Sequence, residues 1–167
     1  YEVGYQIPVN KRGFLSAEAY FRQTNNKIER VQSVYADNVM LSSVANIGTD
    51  YATGVEAMLS TPIVKWWNIN LMANLYDYRL EGAYNGREIN TQSFNWNARF
   101  SNTFVITPRT KVQFDGMYNS ASKTAQGSRE GFMFTNLAVR QDFFENKLNA
   151  TLSVRDVFNT AKFEMES

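Results

Sequence analysis

The sequence predicts an all-β fold, an antiparallel up-and-down β-barrel segment of about eight strands. Two observations support this prediction. Apolar and polar residues alternate along several long segments, and the connections between those segments are short and long in turn. Because successive side chains of a strand point to opposite faces, each such segment has one apolar face and one polar face.

The clearest strand covers residues 66–82, WWNINLMANLYDYRLEG. Trp67, Ile69 and Leu71 form an apolar stripe along it, whereas Asn68 and Asn70 lie on the other face. Alternation of this kind over many residues predicts a half-buried strand. By the same criterion the predicted strands are 1–7, 13–31, 48–61, 66–82, 92–106, 111–121, 131–144 and 147–157.

The connections after strands one, three, five and seven are short, around PVNKR, PIVK, PRT and EN, and they hold Pro8, Pro62 and Pro108. A proline in a turn removes no hydrogen bond from the sheet. The connections near 35–47, 83–91 and 122–131 are longer and more polar. The second of them contains Asn85 and Gly86, a turn signal because Gly accepts positive φ. Short turns on one rim and long loops on the other are typical of a transmembrane β-barrel.

Strand length and composition predict the solvent on each face. A strand that crosses hydrocarbon needs ~9–11 residues, whereas soluble strands are mostly ~5–6 residues long. The polar parity is rich in Asn, Ser, Thr and Arg but nearly lacks Lys, which favours a water-filled lumen over a solvated outer surface. The residues expected to face lipid are Trp67, Ile69, Leu71, Phe94, Trp96 and Phe100. The residues expected to line the lumen are Glu18, Arg22, Glu56, Asn70, Arg99, Asp115, Arg140 and Arg155.

Composition argues against most catalytic and metal chemistry. The chain has neither Cys nor His, which removes zinc sites built from those ligands, thiol catalysis and imidazole-based triads. Its net charge of +1 does not indicate the basic surface that binding of nucleic acid requires. Asp37, Asn38, Asp50 and Glu88 carry the oxygen ligands that calcium prefers, but without a fixed loop spacing we expect a solvated loop. We therefore expect no enzyme activity, no cofactor and no metal, and a ladder of Arg and acidic side chains across the lumen.

Four motifs together resemble one family. They are YEVGY at 1–5, GFLSAEAYFRQTNNKIERV at 13–31, NIGTDYATGVEAML at 46–59 and VRQDFFENKLNATLSVRDVFNT at 139–160, of which the last is the most specific. The chain resembles the C-terminal part of the β-barrel of TonB-dependent outer-membrane receptors, in the Bacteroidetes-type outer membrane protein beta-barrel family. The resemblance implies a parent protein with a plug domain, a TonB box and a barrel of about 22 strands. Residues 1–167 are then expected to be one partial β-barrel segment, without the plug domain and the final strands.

The resemblance implies a place in the bacterial outer membrane and a role in nutrient uptake, with a metal chelate, a glycan or a peptide as the nutrient. The expected partners are outer-membrane lipid, the nutrient and, through the full-length parent, TonB and the plug domain, but no nucleic acid. Substrate contacts are expected near the long loops, where aromatic and cationic side chains combine. These candidates are Arg30, Tyr35, Tyr78, Arg79, Arg87 and Arg129.

Two alternatives remain open at this point. The first is a complete eight-stranded outer-membrane barrel that acts as an adhesin or structural protein, since eight strands can close around a core of side chains. The second is a soluble, lipocalin-like barrel whose apolar stripe faces inward around a small ligand.

Overall fold

The computed structural model describes residues 1–125, 127–145 and 147–160, together with the backbone of 165–166. Strands make up most of this part of the chain, and it contains no helix. The strands are β1 (Glu2–Val9), β2 (Gly13–Ala36), β3 (Val39–Val64), β4 (Trp67–Tyr84), β5 (Arg87–Thr107), β6 (Thr110–Asn119), β7 (Ser122–Thr124), β8 (Gly127–Arg129), β9 (Phe132–Phe143), β10 (Leu148–Arg155) and β11 (Met165–Glu166).

Eight strands form one antiparallel sheet in the order β1-β2-β3-β4-β5-β6-β9-β10. Each pairs with the next along the chain, except that the small β7/β8 hairpin intervenes between β6 and β9. Within the described residues β1 and β10 are edges that do not pair with each other, so the sheet is open. β7 and β8 form a second, three-stranded sheet with β11. The predicted all-β meander of about eight strands is therefore confirmed.

The short turns lie after β1, β3, β5 and β9, as the sequence predicts. Pro108 is in a turn, but Pro8 and Pro62 lie within the last residues of β1 and β3, so their expected place in turns is wrong. The pairing of β3 with β4 becomes irregular between Pro62 and Val64. A strand tolerates a residue without an N–H at such an irregularity.

Two of the three predicted long loops, near 35–47 and 83–91, are instead the ends of long hairpins. β2 with β3, and β4 with β5, stay paired to their last residues, which leaves two residues in each turn. The backbone groups still need hydrogen-bond partners after the strands leave a bilayer, and a turn of residues with positive φ lets the pairing continue. Asn38 has φ of 61°, and the predicted turn at Asn85 and Gly86 is confirmed with φ of 49° and 76°.

A bulge interrupts β2 at Asn25 and Asn26, where the pairing with β3 jumps from Thr24 to Lys27. Asn26 has φ of 56°. An extra residue in one strand shifts the alternation of its side chains. On the short-turn side of the bulge the even-numbered residues of β2 share a face, and beyond it the odd-numbered residues, such as Val31, continue that face.

Val31, Ile47 and Leu80 form a small apolar cluster in which each side chain is almost completely buried. The partly buried Tyr78 and Ala125 pack against it. Ala125 follows β7, so the β7/β8 hairpin folds back onto the ends of β2, β3 and β4. This cluster packs the β2/β3 hairpin against the β4/β5 hairpin at the rim that carries the long connections.

Candidate functional site: the inner wall and its rim

The register of the sheet places all the predicted lumen residues on one face. Residues that pair directly across antiparallel strands point to the same side. Glu18 and Glu56 are such a pair. One row runs across the sheet through Asn70, Ser101, Asp115, Asn136 and Arg155. We call this face the inner wall, and it carries Glu18, Arg22, Glu56, Asn70, Arg99, Asp115, Arg140 and Arg155 by the alternation of their strands.

The opposite face, which we call the outer face, carries the residues predicted to face lipid. Leu71 pairs with Phe100 and Leu75 with Trp96 across β4 and β5. The predicted lipid-facing residues Trp67, Ile69, Leu71, Phe94, Trp96 and Phe100 all lie on it by the same register.

Exposure on the two faces is the inverse of that in a water-soluble protein. Asn95 on the inner wall is 4% exposed, whereas Phe94 on the outer face is 62% exposed. Val55, Leu75 and Trp96 on the outer face are also exposed. A continuous exposed apolar surface marks a contact with membrane or with another protein. The outer face is therefore suited to an apolar solvent.

Aromatic side chains border the apolar band of the outer face near the short turns. The ring of Trp67 lies 5.8 Å from that of Phe104 and 6.4 Å from that of Trp66. The Trp67 Nε1 donates a hydrogen bond of 3.0 Å to Asn102 Oδ1. An indole with an apolar body and a satisfied N–H suits a membrane interface.

The other border of the band lies near Trp96, whose ring is 4.5 Å from that of Tyr118. Farther along β4 the same outer face becomes polar at Asp77, Arg79 and Glu81. Residues of β3 and β4 at and beyond this level lie outside the segment suited to hydrocarbon. The rim described next is therefore on the aqueous side of the apolar band.

The predicted charge ladder across the lumen does not form within the described residues. On the inner wall, Arg140 Nε binds Asp142 Oδ1 at 3.0 Å. Glu18 and Glu56, however, lie opposite each other, acid against acid, and have no basic partner within ion-pair distance in this part of the chain. The inner wall therefore presents charges that its own sheet does not neutralise.

Arg22 stacks on an aromatic ring instead of joining an ion pair. Its guanidinium lies 4.6 Å from the ring centre of Tyr20, a distance suited to a cation–π contact. The Tyr20 hydroxyl reaches across Gly54 and donates a hydrogen bond of 2.9 Å to Asn74 Oδ1. A Cβ at Gly54 would lie 2.7 Å from the Tyr20 ring, so glycine is required for this arrangement.

Lys27, Asp50 and Tyr78 form a polar cluster at the rim. Lys27 Nζ lies 2.9 Å from Asp50 Oδ2, and the Tyr78 hydroxyl donates a hydrogen bond of 3.3 Å to the same oxygen. Because the bulge adds one residue to β2, the side chain of Lys27 points to the inner face, where it reaches Asp50. The buried Leu80 pairs with Asp50 across β3 and β4, and Tyr78 packs against the apolar cluster to which Leu80 belongs.

The cluster shifts the titration of two of its members. Burial alone would raise the pKa of Asp50, but hydrogen bonds from Lys27, Thr24 and Tyr78 and the charge of Lys27 outweigh burial and lower it. Burial, followed by the negative charges of Asp50 and Glu29, raises the pKa of Tyr78 above its ordinary value. Asp50 is thus held ionised and Tyr78 neutral.

The predicted substrate-contacting residues lie near the long-connection rim but do not converge on one point. Tyr78 belongs to the rim cluster, whereas Arg79 points to the outer face and lies 3.5 Å from Glu81. Arg30 is exposed on the opposite side of β2 from the buried Val31. The remaining candidates are Tyr35, exposed near the tip of the β2/β3 hairpin, Arg87, the first residue of β5, and Arg129, the last residue of β8.

The sequence interpretation missed a row of thioether and aromatic side chains on the inner wall. Met58, Met72, Arg99, Met117 and Phe134 pair in succession across β3, β4, β5, β6 and β9. Met58 and Met72 occupy the polar parity of their strands, so the alternation in the sequence already places them on the inner wall. This row borders a depression of about 500 Å³ on the inner wall.

Among the residues described, no three acidic side chains converge at a point where a metal ion could be held. No helix in the described chain is long and apolar enough to cross a membrane.

Comparison with known proteins gives one family. The model of the outer membrane protein beta-barrel family matches residues 1–167. No curated protein and no solved structure matches the chain. The family agrees with the all-β sheet and with the exposed apolar outer face, and it places the protein in the bacterial outer membrane. The chain belongs to the outer membrane protein beta-barrel family.

Proposed function

We propose that this chain is part of the barrel wall of a TonB-dependent outer-membrane receptor that takes up a nutrient. The observation that carries the proposal is the inner wall, on which charged side chains such as Glu18, Glu56 and Arg99 have no ion-pair partner in the described sheet. Burying unpaired charge against apolar groups is costly. Such a wall is suited to face water, a solute or another polar domain, as the lumen of a transporter does.

The open sheet favours a large barrel over the adhesin alternative. A closed eight-stranded barrel has an interior just wide enough for its own side chains. Here β1 and β10 do not pair within the described residues, and the inner wall contains a depression of about 500 Å³. Both observations support a wall that continues into further strands. The soluble lipocalin alternative has no support, since the family is one of outer-membrane proteins.

In this proposal, the outer face contacts lipid, and a plug domain and TonB act through the full-length parent. The nutrient enters past the long-connection rim, where the exposed Arg87 and Arg129 are available for contact. The proposal includes no catalytic activity and no binding of nucleic acid.

Uptake by whole cells tests this function. The native host, a strain without this gene and the native host treated with a protonophore are each offered a ferric chelate, an oligosaccharide and a peptide mixture as the sole source of iron, carbon or nitrogen. We expect the gene deletion and the protonophore each to abolish the use of one of the three sources. Unchanged use of all three sources, together with lost surface adhesion, would overturn the proposal in favour of the adhesin.

A matched pair of variants locates the effect on the inner wall. Glu56→Lys reverses a charge that faces the lumen, whereas Val55→Leu changes the neighbouring residue on the outer face. We expect slower uptake from Glu56→Lys and unchanged uptake from Val55→Leu at equal amounts of protein in the outer membrane.

A further inference from the structure

We propose that the depression on the inner wall binds a small apolar zwitterion, with a hydrophobic amino acid or a dipeptide with free termini as the ligand class. This inference rests on the proposed function and specifies its substrate. The site extends from β2 to β9 and involves neither the rim cluster nor the exposed hairpin tips.

The shape and lining of the depression suit a small organic molecule. Its volume of about 500 Å³ is within the range of about 300–1,000 Å³ typical of small-molecule pockets. Phe14, Met58, Met72, Met117 and Phe134 supply its apolar surface. Methionine side chains are flexible and polarisable and adapt to varied apolar groups. An apolar part of the ligand is therefore accommodated without a rigid fit.

Two opposite charges border this apolar surface without neutralising each other. Arg99 lies opposite Met117, and Asp115 lies opposite Ser101, so the two charged residues are diagonal neighbours on β5 and β6. They form no ion pair with each other, nor with another residue of the described chain. A ligand that carries one positive and one negative group can satisfy both at once.

Asp115 has one oxygen with a hydrogen-bond partner and one without. Its Oδ2 accepts a hydrogen bond of 2.8 Å from Gln113 Nε2, whereas its Oδ1 is buried without a hydrogen-bond partner. A buried carboxylate oxygen gains strongly from a charged donor such as an ammonium group. The guanidinium of Arg99, in turn, is the group best suited to a carboxylate.

The same features disfavour the other nutrient classes. A glycan needs hydrogen-bonding groups over its whole surface. Ser60, Asn70, Ser101 and Asn136 line one side of the depression, but the neighbouring thioethers and phenyl rings offer few such groups. A ferric chelate that binds through its negative charge would be opposed by Asp115. The pairing of one cation, one anion and an adaptable apolar surface matches an apolar zwitterion most closely.

Calorimetric titration of the protein, purified from outer membranes in detergent, tests the inference with four probes. They are the dipeptide Leu-Phe, its N-acetyl form, its C-terminal amide and Gly-Gly. We expect Leu-Phe to bind and each blocked form to bind roughly 10- to 100-fold more weakly, because each lacks one charge-assisted hydrogen bond. Gly-Gly, which has both charges and no apolar side chain, should also bind much more weakly.

Variants assign each charge to its residue. Arg99→Gln should weaken binding of Leu-Phe by a similar factor but should not weaken binding of the amide further. Asp115→Asn should likewise weaken binding of Leu-Phe but should not weaken binding of the N-acetyl form further. Two control variants remove inner-wall charges outside the depression: Lys111→Gln removes a positive charge, as Arg99→Gln does, and Glu18→Gln removes a negative charge, as Asp115→Asn does. Both controls should leave the affinity for Leu-Phe unchanged.

Two outcomes would overturn the inference: no binding of Leu-Phe, or equal loss of affinity for Leu-Phe and its amide in Arg99→Gln. Circular dichroism of each variant shows whether the sheet is retained, and Arg99→Lys provides a second variant that keeps the charge. Energy-dependent uptake of a different solute without Leu-Phe binding would leave the proposed receptor function intact and reject only this site.

Discussion

The ion pair between Lys27 and Asp50 should contribute measurably to stability, whereas the one between Arg79 and Glu81 should not. In the first pair the atoms lie 2.9 Å apart, and the Asp50 side chain is only 10% exposed. In the second the separation is 3.5 Å and both side chains are nearly half exposed. Solvent screens an exposed pair, whose usual contribution is about 0–1 kcal/mol.

The magnitude for Asp50→Asn follows from what the substitution removes. Asparagine keeps the size of the side chain and an oxygen that can accept the hydrogen bond from Tyr78, so the loss is the charge that Lys27 faces. A hydrogen bond between charged groups contributes about 1.5–3 kcal/mol when shielded from water. Because the Lys27 side chain is 33% exposed, we expect a value around or below the lower end of that range, about 1–2 kcal/mol.

Urea unfolding of the protein in lipid vesicles, followed by tryptophan fluorescence, measures both effects. Asp50→Asn should lower the free energy of unfolding by about 1–2 kcal/mol, and Arg79→Gln by less than about 0.5 kcal/mol. The double variant Lys27→Gln with Asp50→Asn should lose less than the sum of the single variants. Equal effects of Asp50→Asn and Arg79→Gln, or an additive double variant, would refute the assignment of the rim cluster as a shielded ion pair.

Three further predictions concern pH, face assignment and packing. Since the pKa of Asp50 is lowered in the folded state, its contribution should be complete above its ordinary pKa of 3.8 and decline as the pH falls below that value. Asp50→Asn should lack this part of the decline, so the difference in free energy of unfolding between the two proteins should shrink as the pH falls. The chain has no cysteine, so a membrane-impermeant maleimide should label Asn97→Cys on the inner wall in detergent-free membranes opened on both sides, but not Ala98→Cys on the lipid face; the reverse pattern would contradict the assignment of the faces. Gly116→Ala should lower the free energy of unfolding in urea by about 1–3 kcal/mol, because the added Cβ would overlap the ring of Phe100. At Gly4 the nearest atom to an added Cβ lies 3.5 Å away, so Gly4→Ala should leave the free energy of unfolding nearly unchanged.

The sequence predicted the faces of the sheet well because the bilayer imposes alternation on every strand that crosses it. Along β4, for example, Trp67, Ile69 and Leu71 share the apolar outer face, and Asn68 and Asn70 share the polar inner wall, as expected for a strand between two different solvents. The register then follows, since any shift by one residue would place asparagine in lipid. The short turns are equally well determined, because both ends of each turn are fixed by apolar strands.

The extended hairpins could not be predicted in the same way. Beyond the apolar band neither face of β2 is suited to lipid, so the bilayer no longer requires alternation, and the segment near 35–47 has the composition of a loop. Pairing continues there through backbone hydrogen bonds, which leave no mark in the sequence. The pair of Lys27 and Asp50 is missed for the same reason, because it depends on a register that passes through the bulge.

The bulge at Asn25 and Asn26 explains how one strand serves two environments. Within the band, the alternation of β2 places apolar side chains on the outer face and polar side chains on the inner wall. Beyond the band, the available apolar contact is between neighbouring hairpins, and it lies on the inner side. A shift of one residue turns Val31 towards Leu80 and Ile47 and at the same time brings Lys27 to Asp50. Asn26 has positive φ at this point, a conformation that asparagine adopts more readily than most other residues. The bulge thus connects the part of the sheet with an apolar outer face to the packed rim.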